Sequence, residues 1–224
     1  MRRILFLCFL AILLTACMSN KELNKEEIQE AKPSKLPNVR AFQDENTRKH
    51  MLSTKEVKEG YYLYESRTER YTMHFPADML FLDSITGEGK RSEIANFLYP
   101  YQVEELSNRG NELELYLKRY EEGEDLLSKI HVYPDATTEY VQDMERIDLE
   151  ESTIYHTQME RAVDEDGVRQ YIVGVIGSKE VPQAIYFDVQ LGTYPKDERL
   201  SKETLDRASD ELLELIKTIK FIDR

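Results

Sequence analysis

The sequence predicts an α+β fold in which an antiparallel sheet is flanked by helices, preceded by a signal peptide and a flexible tether. Three observations carry this prediction. Apolar and polar side chains alternate in several segments after Tyr61, which is the pattern of strands with one buried face. An apolar stripe with helical spacing lies near the C-terminus. An unbroken apolar run follows two arginines at the N-terminus.

The first 17 residues have the pattern of an export signal. Arg2 and Arg3 precede an apolar run over 4–14, which is shorter than the roughly 20 residues that a membrane-spanning helix needs. The sequence Leu-Thr-Ala-Cys at 14–17 resembles the lipobox of bacterial lipoproteins. This resemblance implies removal of residues 1–16 and attachment of diacylglycerol and fatty acid, such as palmitate, to Cys17. It predicts a lipid-anchored protein on the extracytoplasmic face of the cell membrane. The alternative is an ordinary secretory signal followed by a chance cysteine.

A polar segment separates this signal from the predicted domain. Residues 17–58 mix lysines with glutamates, and Pro33 and Pro37 interrupt them. Such a segment buries little apolar surface, so we expect it to be the lipid anchor and a flexible tether. Its candidate docking points are Phe42, Met51, Leu52 and Val57. A single α+β domain is then expected over 59–224.

The strands follow from alternation. Tyr71, Met73 and Phe75 alternate with polar residues and precede Pro76, which predicts a strand ending there. The same reasoning predicts strands over 94–99, 113–117, 154–163, 168–176 and 185–191. Because Gly167 tolerates positive φ, the Asp-Glu-Asp-Gly sequence at 164–167 predicts a hairpin between two of these strands.

Two longer helices are predicted. The first covers 135–149, where Tyr140, Met144 and Ile147 share one face. The second begins after Ser201, which is a favourable N-cap residue, and runs to the C-terminal region. Its apolar stripe consists of Leu205, Ala208, Leu212, Leu215, Ile216 and Ile219.

The order of these elements resembles the Mog1/PsbP-like sandwich found in several bacterial lipoproteins. The likeness covers about 61–224 and consists of an opening strand that ends at Pro76, a middle helix, a long hairpin, another strand and a terminal helix. That helix runs into Ile-Lys-Phe-Ile at 219–222. The resemblance implies an antiparallel sheet between helices and an accessory, non-enzymatic role. The family has no shared catalytic residues to carry over.

Composition and motifs argue against several function classes. The formal net charge of −13 disfavours nucleic-acid binding, which requires a basic surface. No serine lies in a Gly-x-Ser-x-Gly sequence, and the glycine-rich stretch at 87–92 lacks the spacing of a phosphate-binding loop. His156, Gln158 and Glu160 would share one strand face, which gives two candidate ligands and no metal site. We therefore expect no enzymatic activity and no cofactor beyond the lipid. The chain has four histidines, and no two of them have the i, i+4 spacing of a zinc protease. They are His50, His74, His131 and His156.

Negative charge concentrates between 104 and 165. Its densest part falls at the C-terminal end of the first predicted helix and consists of Asp143, Glu145, Asp148, Glu150 and Glu151. The helix macrodipole disfavours anions at that end, so the cluster suggests a cation site, with calcium as the first candidate, or a docking face for a basic partner. The alternative is a solvated acidic surface on a helix that ends earlier.

Tyrosines are the other excess in the composition, with 14 in the chain. One group of five has two interpretations, an exposed recognition patch or part of the core, and consists of Tyr61, Tyr62, Tyr64, Tyr99 and Tyr101.

The function predicted from these features is binding. We expect a lipid-anchored, extracytoplasmic lipoprotein that contacts another protein of the cell envelope. The alternative is a lipoprotein that binds calcium or a small cationic solute through the acidic region.

Overall fold

The computed structural model describes residues 22–86, 92–102, 113–121, 144–163, 167–195 and 197–223. Within these ranges the chain forms ten strands, and every pairing between them is antiparallel. The strands are β1 (Tyr61–Glu65), β2 (Tyr71–Pro76), β3 (Leu80–Thr86), β4 (Ser92–Tyr99), β5 (Leu113–Glu121), β6 (Glu145–Asp148), β7 (Ser152–Ala162), β8 (Gly167–Ser178), β9 (Gln183–Pro195) and β10 (Lys220–Phe221).

Two sheets result from these pairings. The larger sheet has seven strands in the order β3-β4-β5-β9-β8-β7-β6, and the smaller has three in the order β1-β2-β10. The predicted hairpin is confirmed, because β7 pairs with β8 from Ser152 opposite Ser178 to Ala162 opposite Val168. Its turn at 164–166 lies outside the described residues. The other predicted strands are confirmed as β2, β4, β5 and β9.

One long helix packs on these sheets and several short ones precede them. The short helices are α1 (Lys25–Glu30), a 3₁₀ turn (Pro33–Lys35), α2 (Arg40–Gln43) and α3 (Glu45–Arg48), and the long one is α4 (Lys202–Ile216). The Ser201 side chain accepts a hydrogen bond from the Thr204 N–H at 3.2 Å, so the predicted N-cap is confirmed. The apolar stripe of α4 is buried in the main core. Among the described residues α4 is the one long helix, and the other helices have only three to six residues. The sheets are therefore flanked by less helix than the predicted architecture implies.

The expected tether is wrong from residue 22 onward. Ile28, Phe42 and Met51 are completely buried in the main core, although the surrounding sequence is polar. Asn24 caps α1 with a reciprocal capping box, and Asp44 caps α3 through the Thr47 N–H at 2.7 Å. A few apolar side chains, on short helices and at Met51, therefore dock this segment, and residues 22–58 belong to the folded domain.

The predicted middle helix is wrong over its last part. Glu145–Asp148 is the edge strand β6, in which Ile147 pairs with Ile154 of β7. Pairing with a long neighbouring strand overrides the helical spacing of a four-residue segment. Residues 135–143 of the predicted helix lie outside the described residues.

His50 links the N-terminal segment to the stability of the fold at low pH. Its ring lies 4.6 Å from the Phe81 ring and 5.4 Å from the Tyr64 ring, measured between centroids. The pKa of His50 is lowered from 6.5 to about 4, chiefly by burial. A hydrogen bond to the Glu65 backbone opposes this in part, and the positive charge of Lys25 contributes to the lowering. The unfolded chain therefore binds the proton more readily than the folded one. The resulting stabilisation is complete above about pH 6.5 and is lost as the pH falls towards 4.

We expect unfolding free energy to fall more steeply with acidification in the wild type than in His50→Gln. The extra loss between neutral pH and pH 4 should be roughly 2 kcal/mol, allowing for partial solvent screening of the ring. Urea unfolding of both proteins at a series of pH values measures it. Parallel pH profiles for the two proteins would contradict the assignment.

Candidate functional site

A groove lies between β7 and the N-terminal half of α4. Alternate residues of β7 point towards the helix, with Ile154 in the core and His156, Gln158 and Glu160 progressively closer to solvent. The facing helix contributes polar side chains from the border of its apolar stripe. The groove therefore has one wall from a strand and one from a helix.

A polar bridge divides this groove into two cavities. The Gln158 side-chain amide donates to Asp206 Oδ1 at 2.9 Å, and Lys202 Nζ donates to the same oxygen at 3.0 Å. Both hydrogen bonds lower the pKa of Asp206, and the one from Gln158 is the larger cause. Gln158 and Lys202 line both cavities, so the bridge forms their shared wall.

The first cavity, which we call the acidic cavity, has a volume of about 510 Å³. Three of its side chains are carboxylates and one is an ammonium group, so negative charge predominates. It is lined by Glu145, His156, Thr157, Gln158, Lys202, Asp206, Ser209 and Asp210.

Two buried polar side chains in the acidic cavity have atoms without hydrogen-bond partners. His156 is 7% exposed and Ser209 is 4% exposed. Within the described part of the chain, neither His156 Nδ1 nor Ser209 Oγ makes a hydrogen bond. Each unpaired buried polar group costs about 1–3 kcal/mol, so a ligand group that hydrogen-bonds either atom would relieve this cost.

The His156 imidazole is neutral at neutral pH. Burial lowers its pKa, and the carboxylates of Glu145 and Asp210 counter this only in part. His156 Nε2 lies 3.7 Å from Glu145 Oε2. A neutral imidazole presents one N–H and one lone pair, so it can accept a hydrogen bond inside an otherwise anionic cavity.

The second cavity, of about 710 Å³, has balanced charge. Glu160 accepts a hydrogen bond from the Gln170 side chain at 2.7 Å and forms an ion pair with Arg199 at 3.3 Å. Completely buried Gln170 also accepts from the Leu200 N–H at 2.8 Å, which fixes the chain before α4 to the sheet. These contacts pair Glu160 and Arg199 and hold the walls of this cavity in place.

The structure separates the predicted acidic cluster. Of the four members that the structure describes, only Glu145 reaches the acidic cavity. Asp148 forms an ion pair with Arg146 at 2.9 Å, and this hydrogen bond is the main cause of the lowered pKa of Asp148. Glu151 Oε2 lies 3.6 Å from Lys220 Nζ, Glu150 is exposed, and Asp143 lies outside the described residues.

Among the residues that the structure describes, no three metal-ligating side chains lie close enough together to hold a metal ion. The macrodipole argument for a cation site fails as well, because Glu145–Asp148 is a strand. A metal site that combines His131 with His156 is not described by the structure, because His131 lies outside the described ranges.

The tyrosine group belongs to the core. Tyr62, Tyr64, Tyr99 and Tyr101 are each less than 10% exposed, and the Tyr99 and Tyr101 rings pack edge-to-face at 4.6 Å. The interpretation of these residues as core is thus confirmed for four of the five. Tyr61 is partly exposed and lies near Lys58 Nζ, at 5.1 Å from the ring centroid.

The sequence predicts the β7 wall of the groove but not the α4 wall. The shared strand face of His156, Gln158 and Glu160 is confirmed. The helical wall was not predicted, because Asp206 and Asp210 have the spacing of an ordinary solvated helix face. The one available signal is their position beside the apolar stripe, which brings them to the edge of the buried surface.

An antiparallel α+β domain that follows a sequence resembling a lipobox fits the class of bacterial lipoproteins. The chain belongs to the YvcA_Mog1p family, described as "Putative lipoprotein YvcA", whose sequence model matches residues 37–220. The predicted lipoprotein with a Mog1-like fold is therefore confirmed. Membership of this family also implies association with a membrane.

The comparisons include one curated relative and one solved structure. A Bacillus subtilis (strain 168) protein with the same description is 41% identical, and the match covers 41% of this chain and 44% of that protein. The chain thus spans less than half the length of this relative. The Saccharomyces cerevisiae Ran-binding protein Mog1p matches with 12% identity and a TM-score of 0.42, covering 73% of this chain and 96% of that chain. No helix in the described ranges is both long and apolar enough to cross a membrane.

Proposed function

We propose that this protein is a lipid-anchored binding protein on the extracytoplasmic face of the membrane, where it acts as an accessory to another envelope protein. The observation that carries this proposal is the short distance between the lipobox cysteine and the folded domain. Only residues 18–21 separate Cys17 from Glu22, where the described structure begins. Even fully extended, the chain from Cys17 to Glu22 covers only about 18 Å.

This short connection restricts what the domain can contact. A domain held within about 20 Å of its anchor samples the membrane surface and the proteins embedded in it. Confinement raises the effective concentration towards membrane-bound partners, so a weak contact suffices for association. Two or more acyl chains on one residue make the anchor stable.

The anchor is tested by replacing its cysteine. Cys17→Ala should abolish incorporation of labelled palmitate and release the protein from the membrane fraction, because no other residue of the lipobox supplies a sulfur atom. Cys8→Ala is the matched control, since Cys8 lies inside the apolar run and should leave labelling unchanged. Equal labelling of the wild type and Cys17→Ala would contradict a lipid on this residue.

The accessory role is tested by crosslinking in cells. The native anchored protein is crosslinked and the captured proteins are identified by mass spectrometry. We expect one reproducible envelope protein that an unrelated domain on the same anchor does not capture. A capture profile equal to that of the unrelated domain would contradict the accessory role.

The acidic cavity favours a second candidate, the binding of a small cationic solute. Its excess of carboxylates and its two unpartnered buried groups supply charge and hydrogen bonds in one place. This candidate shares its site with a protein contact, because a lysine or arginine of a partner has the same chemistry as a cationic solute.

A further inference from the structure

We propose that the acidic cavity binds a cationic N–H group, the ammonium of a lysine-like ligand or the guanidinium of an arginine-like ligand. The inference rests on the proposed binding function and assigns a site and a ligand chemistry to it. The group enters between β7 and α4 and lies among Asp210, Glu145, His156 and Ser209.

Charge favours a cation in this cavity. Lys202 forms an ion pair with Asp206. The polar bridge therefore neutralises the one basic side chain among the described lining residues and one of their three carboxylates. Glu145 and Asp210 remain, and both carboxylates act on His156 in the direction that favours a positive charge there, whereas Lys217 opposes them. Two carboxylates without a bound cation repel anions and attract a positive group.

The buried polar atoms favour a ligand that donates hydrogen bonds. Ser209 Oγ and His156 Nδ1 are enclosed and unpartnered in the described chain. An ammonium group has three donors and a guanidinium five, enough to reach a carboxylate and a neutral acceptor at the same time. A neutral imidazole adds an acceptor without adding a competing positive charge.

The dimensions favour an organic cation over a bare metal ion. A volume of about 510 Å³ exceeds what a single ion fills, and no three metal-ligating side chains in the described ranges lie close enough together to hold one. Calcium takes six to eight oxygen ligands at short distances, whereas an ammonium or guanidinium needs only a few acceptors at hydrogen-bond distance.

The test uses the full chain in detergent micelles. Two terminally blocked pentapeptides, Gly-Gly-Arg-Gly-Gly and its citrulline twin, are titrated while the histidine ring signals are followed by NMR, with free methylguanidinium as a third probe. We expect the arginine peptide and methylguanidinium to shift the His156 signals with millimolar affinity. The citrulline peptide, which lacks the charge, should leave these signals in place.

Two variants locate the site. Asp210→Asn should weaken binding about tenfold, because it removes one charge-assisted hydrogen bond. Asp210 is exposed on α4, so its replacement leaves the fold intact. Glu180→Gln, in the exposed turn between β8 and β9, removes the same charge elsewhere and should change the affinity less than twofold.

Several results would overturn the assignment. They are equal binding of the citrulline peptide, unchanged affinity in Asp210→Asn, and no shift with any probe. Tighter binding of the peptide than of methylguanidinium indicates a protein partner, and the reverse indicates a free solute; either result supports the shared chemistry. Crosslinking in cells remains a separate test, so a captured partner together with a failed titration would reject this cavity while supporting the accessory role.

Discussion

Phe42→Ala should lower the free energy of unfolding by about 4 kcal/mol, the cost of deleting a completely buried phenylalanine. Phe42 lies on α2, and its ring packs edge-to-face on the Tyr62 ring of β1 at a centroid distance of 4.8 Å. The substitution removes this contact and leaves a cavity between the N-terminal segment and the smaller sheet. Urea unfolding measures the change.

The matched control is Asn46→Ala, at an exposed position on the neighbouring helix α3. Surface changes of this kind usually alter stability by less than about 0.5 kcal/mol. If residues 22–58 were a loose tether, Phe42→Ala would resemble this control. A large and specific loss therefore distinguishes a docked segment from a tether. It also fixes how close to its anchor the domain is held.

This segment shows why composition alone misplaces a domain boundary. Mixed charge and two prolines predict a tether, yet one or two buried side chains on each short α-helix are enough to dock this segment. Ile28 follows the Asn24 capping box, and Thr47 donates from its backbone to Asp44. Caps are visible in a sequence, but which isolated apolar residue reaches the core depends on contacts that are distant along the chain.

The strands were predictable because their alternation repeats over several residues. β5 alternates along most of its length, so its pattern specifies both the strand and its buried face. β8 and β9 alternate only over part of their length, because 172–177 and 183–187 are buried on both faces. β6 was missed because four residues cannot distinguish a strand from a helix by periodicity, and its pairing partner decides. Local pattern therefore accounts for the framework of the sheet and not for its edge.

The site was half predictable for the same reason. The period of a strand places His156 and Gln158 on one face, but no local pattern brings Asp206 and Asp210 opposite them. The two walls are far apart along the chain, and the packing of α4 on the large sheet brings them together. A functional groove formed by a strand and a distant helix requires the tertiary structure.

Gly174→Ala should destabilise the protein by about 3 kcal/mol or more, an overpacking effect in a strand that cannot shift. In register, Gly174 of β8 lies between His156 of β7 and Phe187 of β9. A Cβ atom at this position would overlap Phe187 Cζ and would lie 2.5 Å from the carbonyl oxygen of Tyr155. The ring can rotate away, but the carbonyl belongs to the backbone of β7, the strand that forms one wall of the groove.

A double-mutant cycle with Phe187→Leu separates these two clashes. Leucine lacks the Cζ atom, so in its presence Gly174→Ala should cost less than in the wild type, while overlap with the Tyr155 carbonyl persists. Melting temperatures of the wild type, both single variants and the double variant measure the coupling, and a loss of 3 kcal/mol corresponds to roughly 6–12 °C for a protein of this size. A melting temperature unchanged by Gly174→Ala would show that β7 and β8 can separate locally. Because His156 lies directly opposite Gly174, a local separation of β7 and β8 would also mean that the acidic cavity can widen. The expected loss of stability would instead show that the shape of the cavity depends on close packing at this glycine.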